Sequence, residues 1–245
     1  MWESACWAGR RANQMNDKCK TGITGLDKVL RGGLPSGSIS TISGPTGSGR
    51  STLALQFLLN GAKKYDETGL YVAIEESHEQ IYRNMKYSGW DLEELERSKK
   101  LLFLDYPPHE VDQFRTQNSA IRELVETMGI TRMVIDSIMP IALLFPNDDE
   151  RKRGFLEIVN SIRKWGTTTM IVAEEHPSSG KTGNLPRTNY EIESLSDGWV
   201  HLDYRIGKKE ERKRGIEVLK MKGANPMMKR FPMEIYSKGI SVKVK

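Results

Sequence analysis

Residues 44–52 read GPTGSGRST, and this stretch decides the fold of the chain. It matches the pattern G-x-x-x-x-G-K followed by Ser or Thr at every position except one, where an arginine replaces the lysine. Glycines allow consecutive backbone N–H groups to point inward, and a following helix directs its positive end to the same place. The stretch predicts a phosphate-binding loop. Its expected nucleotide-contacting residues are Gly44, Thr46, Gly47, Ser48, Gly49, Arg50, Ser51 and Thr52.

The residues on both sides of the loop fit a strand and a helix. Residues 38–43 (SISTIS) alternate β-branched and small side chains, and residues 53–59 (LALQFLL) are strongly apolar. An ordinary glycine turn is the alternative, but these two flanks favour the phosphate loop. We therefore expect a nucleoside triphosphate with Mg²⁺, and Ser51 stands where a hydroxyl would meet the metal ion.

Beyond the loop, strand and helix patterns alternate. Apolar strand patterns occupy residues 70–75, 101–105, 132–136 and 168–173, and helical patterns occupy residues 79–88, 113–128 and 150–165. The final part changes to short alternating patterns at residues 199–203, 216–221, 231–235 and 240–244. The sequence thus predicts an α/β fold, in which a mostly parallel sheet lies between helices and continues into a C-terminal antiparallel extension.

Length and composition set the limits of this interpretation. The 245 residues fit one α/β domain, and no run of about 18 apolar residues predicts insertion into a membrane. Residues 1–19 are polar and charged, so we expect a disordered leader, with Met15 as an alternative start, before one domain over residues 20–245. Cys6 and Cys19 both fall in this leader, which argues against a disulfide framework and favours a reducing, cytoplasmic location.

The basic character of the chain is slight and local. The formal net charge is +5, and the densest run of charges is residues 208–214 (KKEERKR), between two predicted strands. A solvated hairpin tip explains this run, and contact with nucleic acid is the alternative. Residues 176–190 form a long Gly/Ser/Pro-rich loop, and such a loop is more often merely mobile.

Asp136 ends the apolar pattern RMVID at residues 132–136, beside the phosphate loop in the expected topology. In phosphoryl-transfer enzymes with such a loop, a carboxylate at this place holds the magnesium ion. Asp105 also ends a strand pattern, but a Tyr-Pro-Pro loop signature follows it directly. We predict Asp136 and Ser51 as the metal pair, with a turn cap that Asp136 forms with Ser137 as the alternative.

Glu75 and Glu76 close the strand pattern that follows the loop helix. A carboxylate here can accept a hydrogen bond from water, align it for attack on the terminal phosphate and take up its proton. Adjacent strand residues point to opposite faces, so we expect at most one of the two to face the phosphate. The alternative is a pair of acids that cap the following helix near Ser77 and Glu79.

Lys220 and Lys222 lie two residues apart at the end of a late strand pattern, so they share one face of it. If a neighbouring subunit presents them to the γ-phosphate, they supply positive charge during phosphoryl transfer. Lysines on an exposed strand edge also discourage aggregation, and composition alone favours that alternative.

Several separate stretches carry a more specific signal. They read KTGITGLDKVLRGGLPSGS, GPTGSGRSTLALQFLLNGA, YVAIEES, SGWDL, KLLFLD, MVIDS, DGWVHL, VLKMKGA and FPMEIYSKGISV. Over about residues 20–244 the chain resembles the KaiC family, within the RecA/RadA superfamily of P-loop ATPases. The resemblance implies a RecA-like core, ATP bound at subunit interfaces and a hexameric ring.

The resemblance also implies roles for single residues. It makes Glu75 and Glu76 the catalytic glutamates and Ser51 and Asp136 the magnesium ligands. It also implies that Lys220, Met221 and Lys222 lie at the subunit interface and contact the nucleotide of the neighbouring subunit.

Two residues depart from the family pattern, Arg50 and Lys222. A guanidinium keeps the charge of an ammonium but is planar and bulkier, so ATP binding can survive while hydrolysis slows. A loop that simply adjusts to Arg50 is the alternative. Glu193 and Ser194 stand where clock-type members have adjacent hydroxyls, which argues against clock-type autophosphorylation and leaves Ser194 as a weak candidate.

Three functions follow from these residues. The first is a slow ATPase that acts as a regulatory homo-oligomer. The second is a nucleotide-sensing module that presents a surface to signalling or transcriptional protein partners with little hydrolysis. A RadA-type DNA-binding recombinase is less favoured, because no helix-hairpin-helix pattern precedes the core, although the loop at residues 176–190 lies near where the resemblance implies DNA contact. Fold similarity does not select the biological pathway.

Overall fold

The computed structural model describes residues 17–107, 109–176, 185–206 and 211–244. The strands in these ranges are β1 (Lys18–Cys19), β2 (Leu34–Pro35), β3 (Ile39–Gly44), β4 (Thr68–Ala73), β5 (Leu101–Asp105), β6 (Ile130–Asp136), β7 (Thr168–Glu174), β8 (Gly198–Ile206), β9 (Arg212–Met221), β10 (Phe231–Tyr236) and β11 (Gly239–Val242). The α-helices are α1 (Leu26–Val29), α2 (Arg50–Tyr65), α3 (His78–Met85), α4 (Leu92–Arg97), α5 (Val111–Thr116), α6 (Asn118–Met128), α7 (Met139–Ala142) and α8 (Asp148–Trp165).

One nine-stranded sheet organises the described part of the chain, in the order β11-β10-β9-β8-β3-β7-β6-β4-β5. The strands from β8 to β5 pair in parallel, while β9, β10 and β11 continue the sheet as antiparallel strands. β1 and β2 form a separate two-stranded ribbon. The predicted α/β fold with a C-terminal antiparallel extension is confirmed.

Apolar side chains cover both faces of the sheet. On one face, α2 buries Leu53, Leu55 and Phe57 completely against the strands. On the other face, α8 buries Phe155 and Ile162 in a second cluster. Each such side chain contributes about 1.5–3 kcal/mol when it is removed from water. Packing on both faces explains why the parallel strands read as continuous apolar runs.

Two predicted elements end at other places in the structure. The strand expected to run to Glu75 ends at Ala73, and the next N–H, that of Ile74, donates to the Asp136 carbonyl at 2.9 Å. The single helix expected over residues 113–128 is two helices, α5 and α6. The second begins where Asn118 Nδ2 donates to Ser161 Oγ of α8 at 2.5 Å, a tertiary contact that the local pattern does not contain.

The predicted leader boundary at Cys19 is wrong. Lys18–Cys19 pairs with β2, and the Cys19 side chain is buried, which raises the pKa of its thiol to about 11. Residues 1–16, with Cys6 and Met15, lie outside the described residues.

Two predicted loops are described only in part. Residues 212–214 of the charged run belong to β9 rather than to a hairpin tip, while residues 208–210 lie outside the described part. In the loop expected over residues 176–190, residues 177–184 also lie outside it. Among the helices that the structure describes, none is both long and apolar enough to cross a membrane.

The parallel strands bring the ends of distant segments to one edge of the sheet. Gly44 at the end of β3 pairs with Glu174 at the end of β7, and Ala73 at the end of β4 pairs with Asp136 at the end of β6. Ligands in open parallel sheets bind outside this carboxyl edge. The predicted phosphate loop and the predicted acids therefore lie on the same side of the molecule.

Candidate nucleotide site

The phosphate loop leaves β3 and enters α2 through backbone that needs glycine. Gly47 and Gly49 have φ values of 80° and 102°. A Cβ on Gly44 would lie 2.3 Å from the carbonyl oxygen of Leu202, and one on Gly49 would lie 2.5 Å from Cδ1 of Ile235. At Gly44 a side chain would clash with fixed backbone, and at Gly47 and Gly49 the positive φ disfavours any side chain, so the glycines preserve the shape of the loop.

Within the loop, Ser48 is fully buried, and its Oγ has no hydrogen-bond partner among the described residues. A buried hydroxyl without a partner costs free energy, which a bound anion would recover. Thr46 is exposed at the loop tip, and Thr52 is half-buried in the first turn of α2. The loop therefore fits a phosphate group.

Arg50, which replaces the expected lysine, lies against the sheet edge. Its Nη1 donates to the carbonyl oxygens of Gly44 at 2.8 Å and Ala173 at 3.0 Å. Its Nη2 lies 3.9 Å from Oε1 of Glu174. The side chain is only 14 % exposed, so the guanidinium is held by the protein itself.

Ser51 and Asp136 meet as the sequence predicts. Both residues line one cleft, and Oδ2 of Asp136 accepts a hydrogen bond from Tyr71 Oη at 2.5 Å. Burial raises the pKa of Asp136 above its ordinary value, while the nearby hydroxyls of Tyr71 and Ser51 favour the charged carboxylate and oppose that rise. A hydroxyl and a carboxylate are hard oxygen donors of the kind that Mg²⁺ prefers, so the pair fits this ion.

Both glutamates line one small cleft of about 70 Å³. They lie beyond the end of β4, so the alternation of strand side chains does not apply to them. Ser137 Oγ donates to Glu75 Oε1 at 2.5 Å, and Asn84 Nδ2 donates to Glu76 Oε2 at 3.2 Å. The other residues that line this cleft are Ser51, Tyr71, Ile81, Met85 and Asp136.

The capping roles that were the alternatives for these acids are filled by other residues. The N-terminus of α3 is capped by Ser77, whose N–H donates to Gln80 Oε1 at 3.2 Å, and not by either glutamate. The alternative turn cap of Asp136 with Ser137 is not favoured, because Ser137 Oγ donates to Glu75 Oε1 instead.

Asp105, the competing carboxylate, has a different partner. Its Oδ2 accepts a hydrogen bond from the His78 N–H at 3.1 Å and lies 2.6 Å from His78 Nδ1. Partial burial acts to lower the pKa of His78, but the hydrogen bond and the charge of Asp105 raise that pKa above its ordinary value. Asp105 therefore holds the start of α3, immediately after the glutamates.

Sequence reasoning missed Arg214, which was included in the solvated hairpin tip. Its Nε and Nη2 both donate to the carbonyl oxygen of Gly47, at 3.1 and 3.0 Å. Its guanidinium lies 4.4 Å from the ring centroid of Tyr204, and Arg212 lies over the same ring at 5.5 Å. Within the described part of the charged run, Arg214 thus contacts the phosphate loop. A basic residue in an alternating strand pattern was the only signal for this contact.

Lys220, Met221 and Lys222 lie at the other end of the sheet. Met221 pairs with Gly198, which pairs with Ser40 near the start of β3, whereas the phosphate loop follows the end of β3. Lys220 Nζ donates to the carbonyl oxygens of Glu193 and Ser194, at 3.0 and 3.2 Å. Lys222 Nζ lies 3.7 Å from Oδ1 of Asp197. Within one chain, these residues are not brought to the phosphate loop.

The nine-stranded sheet and the glycine loop at the end of β3 define a RecA-like P-loop protein. The family model described as "ATPase: KaiC" matches residues 19–245. The chain therefore belongs to the KaiC ATPase family, which confirms the resemblance found in the sequence.

Similar proteins agree with this assignment. The circadian clock oscillator protein KaiC of Prochlorococcus marinus (strain MIT 9313) is 30 % identical over 242 residues, covering 96 % of this chain and 48 % of that protein. KaiC of Parasynechococcus marenigrum (strain WH8102) is 32 % identical over 232 residues, covering 92 % and 44 %. The chain thus spans less than half the length of these curated relatives.

A solved structure matches almost end to end. The KaiC-like protein of the hyperthermophilic archaeon Pyrococcus horikoshii OT3 is 33 % identical, with a TM-score of 0.80. The match covers 93 % of this chain and 99 % of that one.

Proposed function

We propose that this chain binds Mg-ATP at the P-loop and hydrolyses it slowly. The observation that carries this proposal is the meeting of Ser51, Asp136, Glu75 and Glu76 in one cleft beside the glycine loop. Hydroxyl, carboxylate and glutamates are the groups that P-loop hydrolysis requires, and the chain supplies them from α2, the end of β6 and the segment after β4.

Each residue has a distinct role in the proposed reaction. The loop N–H groups and the Ser48 hydroxyl bind phosphate oxygens. Ser51 and Asp136 would hold Mg²⁺, which supplies positive charge to the β- and γ-phosphates when it is bound. Glu75 and Glu76 orient the attacking water, and one of their carboxylates takes its proton.

We further propose that the protein acts in the cytoplasm as a regulatory homo-oligomer, a hexameric ring with ATP between subunits. The opposite positions of the P-loop and of Lys220 and Lys222 along β3 support this arrangement. A lysine so placed reaches the nucleotide of a neighbouring subunit rather than its own. Its charge would then complete a site that one chain leaves open.

Steady-state phosphate release with Mg-ATP tests the hydrolysis. We expect Glu75→Gln plus Glu76→Gln to lower the rate by at least about 100-fold, because a glutamine cannot take up the proton. Glu79→Gln is the matched control, since this exposed glutamate lies outside the cleft and should leave the rate unchanged. A wild-type rate in the double variant would refute the catalytic assignment, and failure to bind Mg-ATP would refute the proposal as a whole.

The second candidate is a nucleotide-sensing module that binds ATP, assembles and presents a surface to signalling or transcriptional partners without useful turnover. The position of Arg50 on two main-chain carbonyls favours it, because the charge expected at the phosphates is directed elsewhere. Arg50→Lys distinguishes the two functions. If the wild type binds ATP but releases phosphate only after this change, the module is the correct function.

A further inference from the structure

We propose that Glu174 is a positioning residue that retains Arg50 at the sheet edge and thereby weakens the binding of Mg-ATP. The inference rests on the proposed function, because it concerns the affinity of the same P-loop. The proposed site described above consists of the P-loop, the glutamates and Asp136. The inference adds Glu174, at the end of β7, to that site.

The geometry gives Arg50 three partners on the sheet edge, two hydrogen-bond acceptors and one carboxylate in an ion pair. Two are the main-chain carbonyls of Gly44 and Ala173, which β3 and β7 fix in place. The third is the carboxylate of Glu174, 3.9 Å from Nη2. Glu174 pairs with Gly44 across the two strands, so its side chain starts beside the first residue of the loop.

Holding Arg50 at the sheet edge and binding phosphate compete for the same Arg50 guanidinium. Arg50 must leave the two carbonyls before its charge can approach a bound phosphate, and departure also separates it from Glu174. When only a fraction of a protein is in the binding-competent arrangement, its apparent affinity falls by that fraction. Of the three partners, only Glu174 contributes through a side chain. That side chain is 35 % exposed, so it can be replaced without opening the core.

The planar shape of arginine is what allows this arrangement. A guanidinium directs five donors in a fixed fork, whereas an ammonium is one compact centre. Nη1 can therefore serve both carbonyls while Nη2 faces Glu174. A lysine at this position cannot face all three partners in the same way, so the retention belongs to Arg50 in particular.

The test is a titration with a fluorescent ATP analogue and Mg²⁺. Because the pair is partly exposed, we expect Glu174→Gln to bind the analogue about two- to fivefold more tightly than the wild type. Glu174→Asp keeps the charge but shortens the side chain away from Nη2, so it should also tighten binding. Glu175→Gln removes the same charge one residue later and should have no effect. A purely structural role for Glu174 would weaken binding rather than tighten it.

The same titration in the Arg50→Lys background completes the test. We expect the gain from Glu174→Gln to disappear there, since the lysine is not retained in the same way. Wild-type affinity in Glu174→Gln would overturn the inference. An equal gain in both backgrounds would also overturn it, because simple repulsion between Glu174 and phosphate would then be the cause. If neither the wild type nor Arg50→Lys binds the analogue, the proposed function itself fails.

Discussion

Tyr71 Oη donates a hydrogen bond to Asp136 Oδ2 at 2.5 Å, and this bond joins the two strands that frame the cleft. Burial, followed by the charge of Asp136, raises the pKa of Tyr71 well above its ordinary value, so the phenol stays a donor. We expect Tyr71→Phe to lower the apparent Mg²⁺ affinity by about tenfold or more, as the loss of a partner behind a metal ligand does. Phosphate release as a function of Mg²⁺ concentration measures this effect.

Tyr82→Phe is the matched control for this change. Tyr82 directs its hydroxyl to Glu96 Oε2 at 2.6 Å, away from the cleft. An equal loss of Mg²⁺ affinity in both variants would show that Tyr71 acts through general packing.

Arg214 should support the shape of the phosphate loop. Arg214→Ala removes both hydrogen bonds to the Gly47 carbonyl and the contact with Tyr204. We expect Mg-ATP to bind about fivefold more weakly, which corresponds to about 1 kcal/mol for an exposed contact of this kind. Arg205→Ala is the control, because Arg205 is exposed and its described ion pair is with Asp203. An unchanged affinity for Mg-ATP in Arg214→Ala would refute this role of Arg214 in shaping the loop.

His78 should make stability depend on pH. The net effect of burial, the Asp105 hydrogen bond and the charges of Asp105, Glu79 and Glu96 is a raised pKa of His78 in the folded protein. Its contribution to the free energy of unfolding is thus present below about pH 6.5 and is lost as the pH rises through the higher folded pKa. The effect should be well under about 1 kcal/mol, because the ring is one-third exposed.

Urea unfolding at pH 6, 7 and 8 measures this contribution. We expect the wild type to lose more stability over this range than His78→Gln does. Parallel pH profiles for the two proteins would contradict the assignment.

Arg132 is a fully buried cation that packs beneath α2 and holds it by hydrogen bonds. It donates to the carbonyl oxygens of Phe57 and Lys20, both at 2.8 Å, and it pairs with Glu67. We expect Arg132→Met to reduce the free energy of unfolding by about 2–4 kcal/mol, since the carbonyls and the carboxylate lose their partner. Urea unfolding checks this value. Arg122→Met, which breaks an exposed pair with Glu126, should cost no more than about 0.5 kcal/mol.

The fold and the motif residues were predictable because they depend on local patterns. Apolar runs fix the parallel strands, and parallel strands carry their final residues to a common edge. Asp136 and Ser51 could therefore be paired from the sequence, although 85 positions of chain separate them. The predicted strand end at Glu75 was wrong, because the strand stops two residues earlier and the alternation of side chains stops with it.

Tertiary partners could not be predicted in this way. Tyr71 lies within an apolar strand pattern and looks like a core residue, and its partner is 65 positions away. The contact between Arg214 and Gly47 spans 167 positions and depends on how far β9 extends. The retention of Arg50 requires the carbonyl of Ala173 from another strand, which no spacing rule contains.

The opposite ends of β3 have a consequence for mixtures of variants. In the proposed ring, each chain gives its lysines to one neighbour and its loop and glutamates to the other. A chain without Lys220 and Lys222 and a chain without Glu75 and Glu76 are then deficient in different halves of the site. Neither alone should release phosphate, but a mixed ring would contain some interfaces where both halves are intact. Complementation between two inactive proteins is thus a property that the direction of a single strand builds into the assembly.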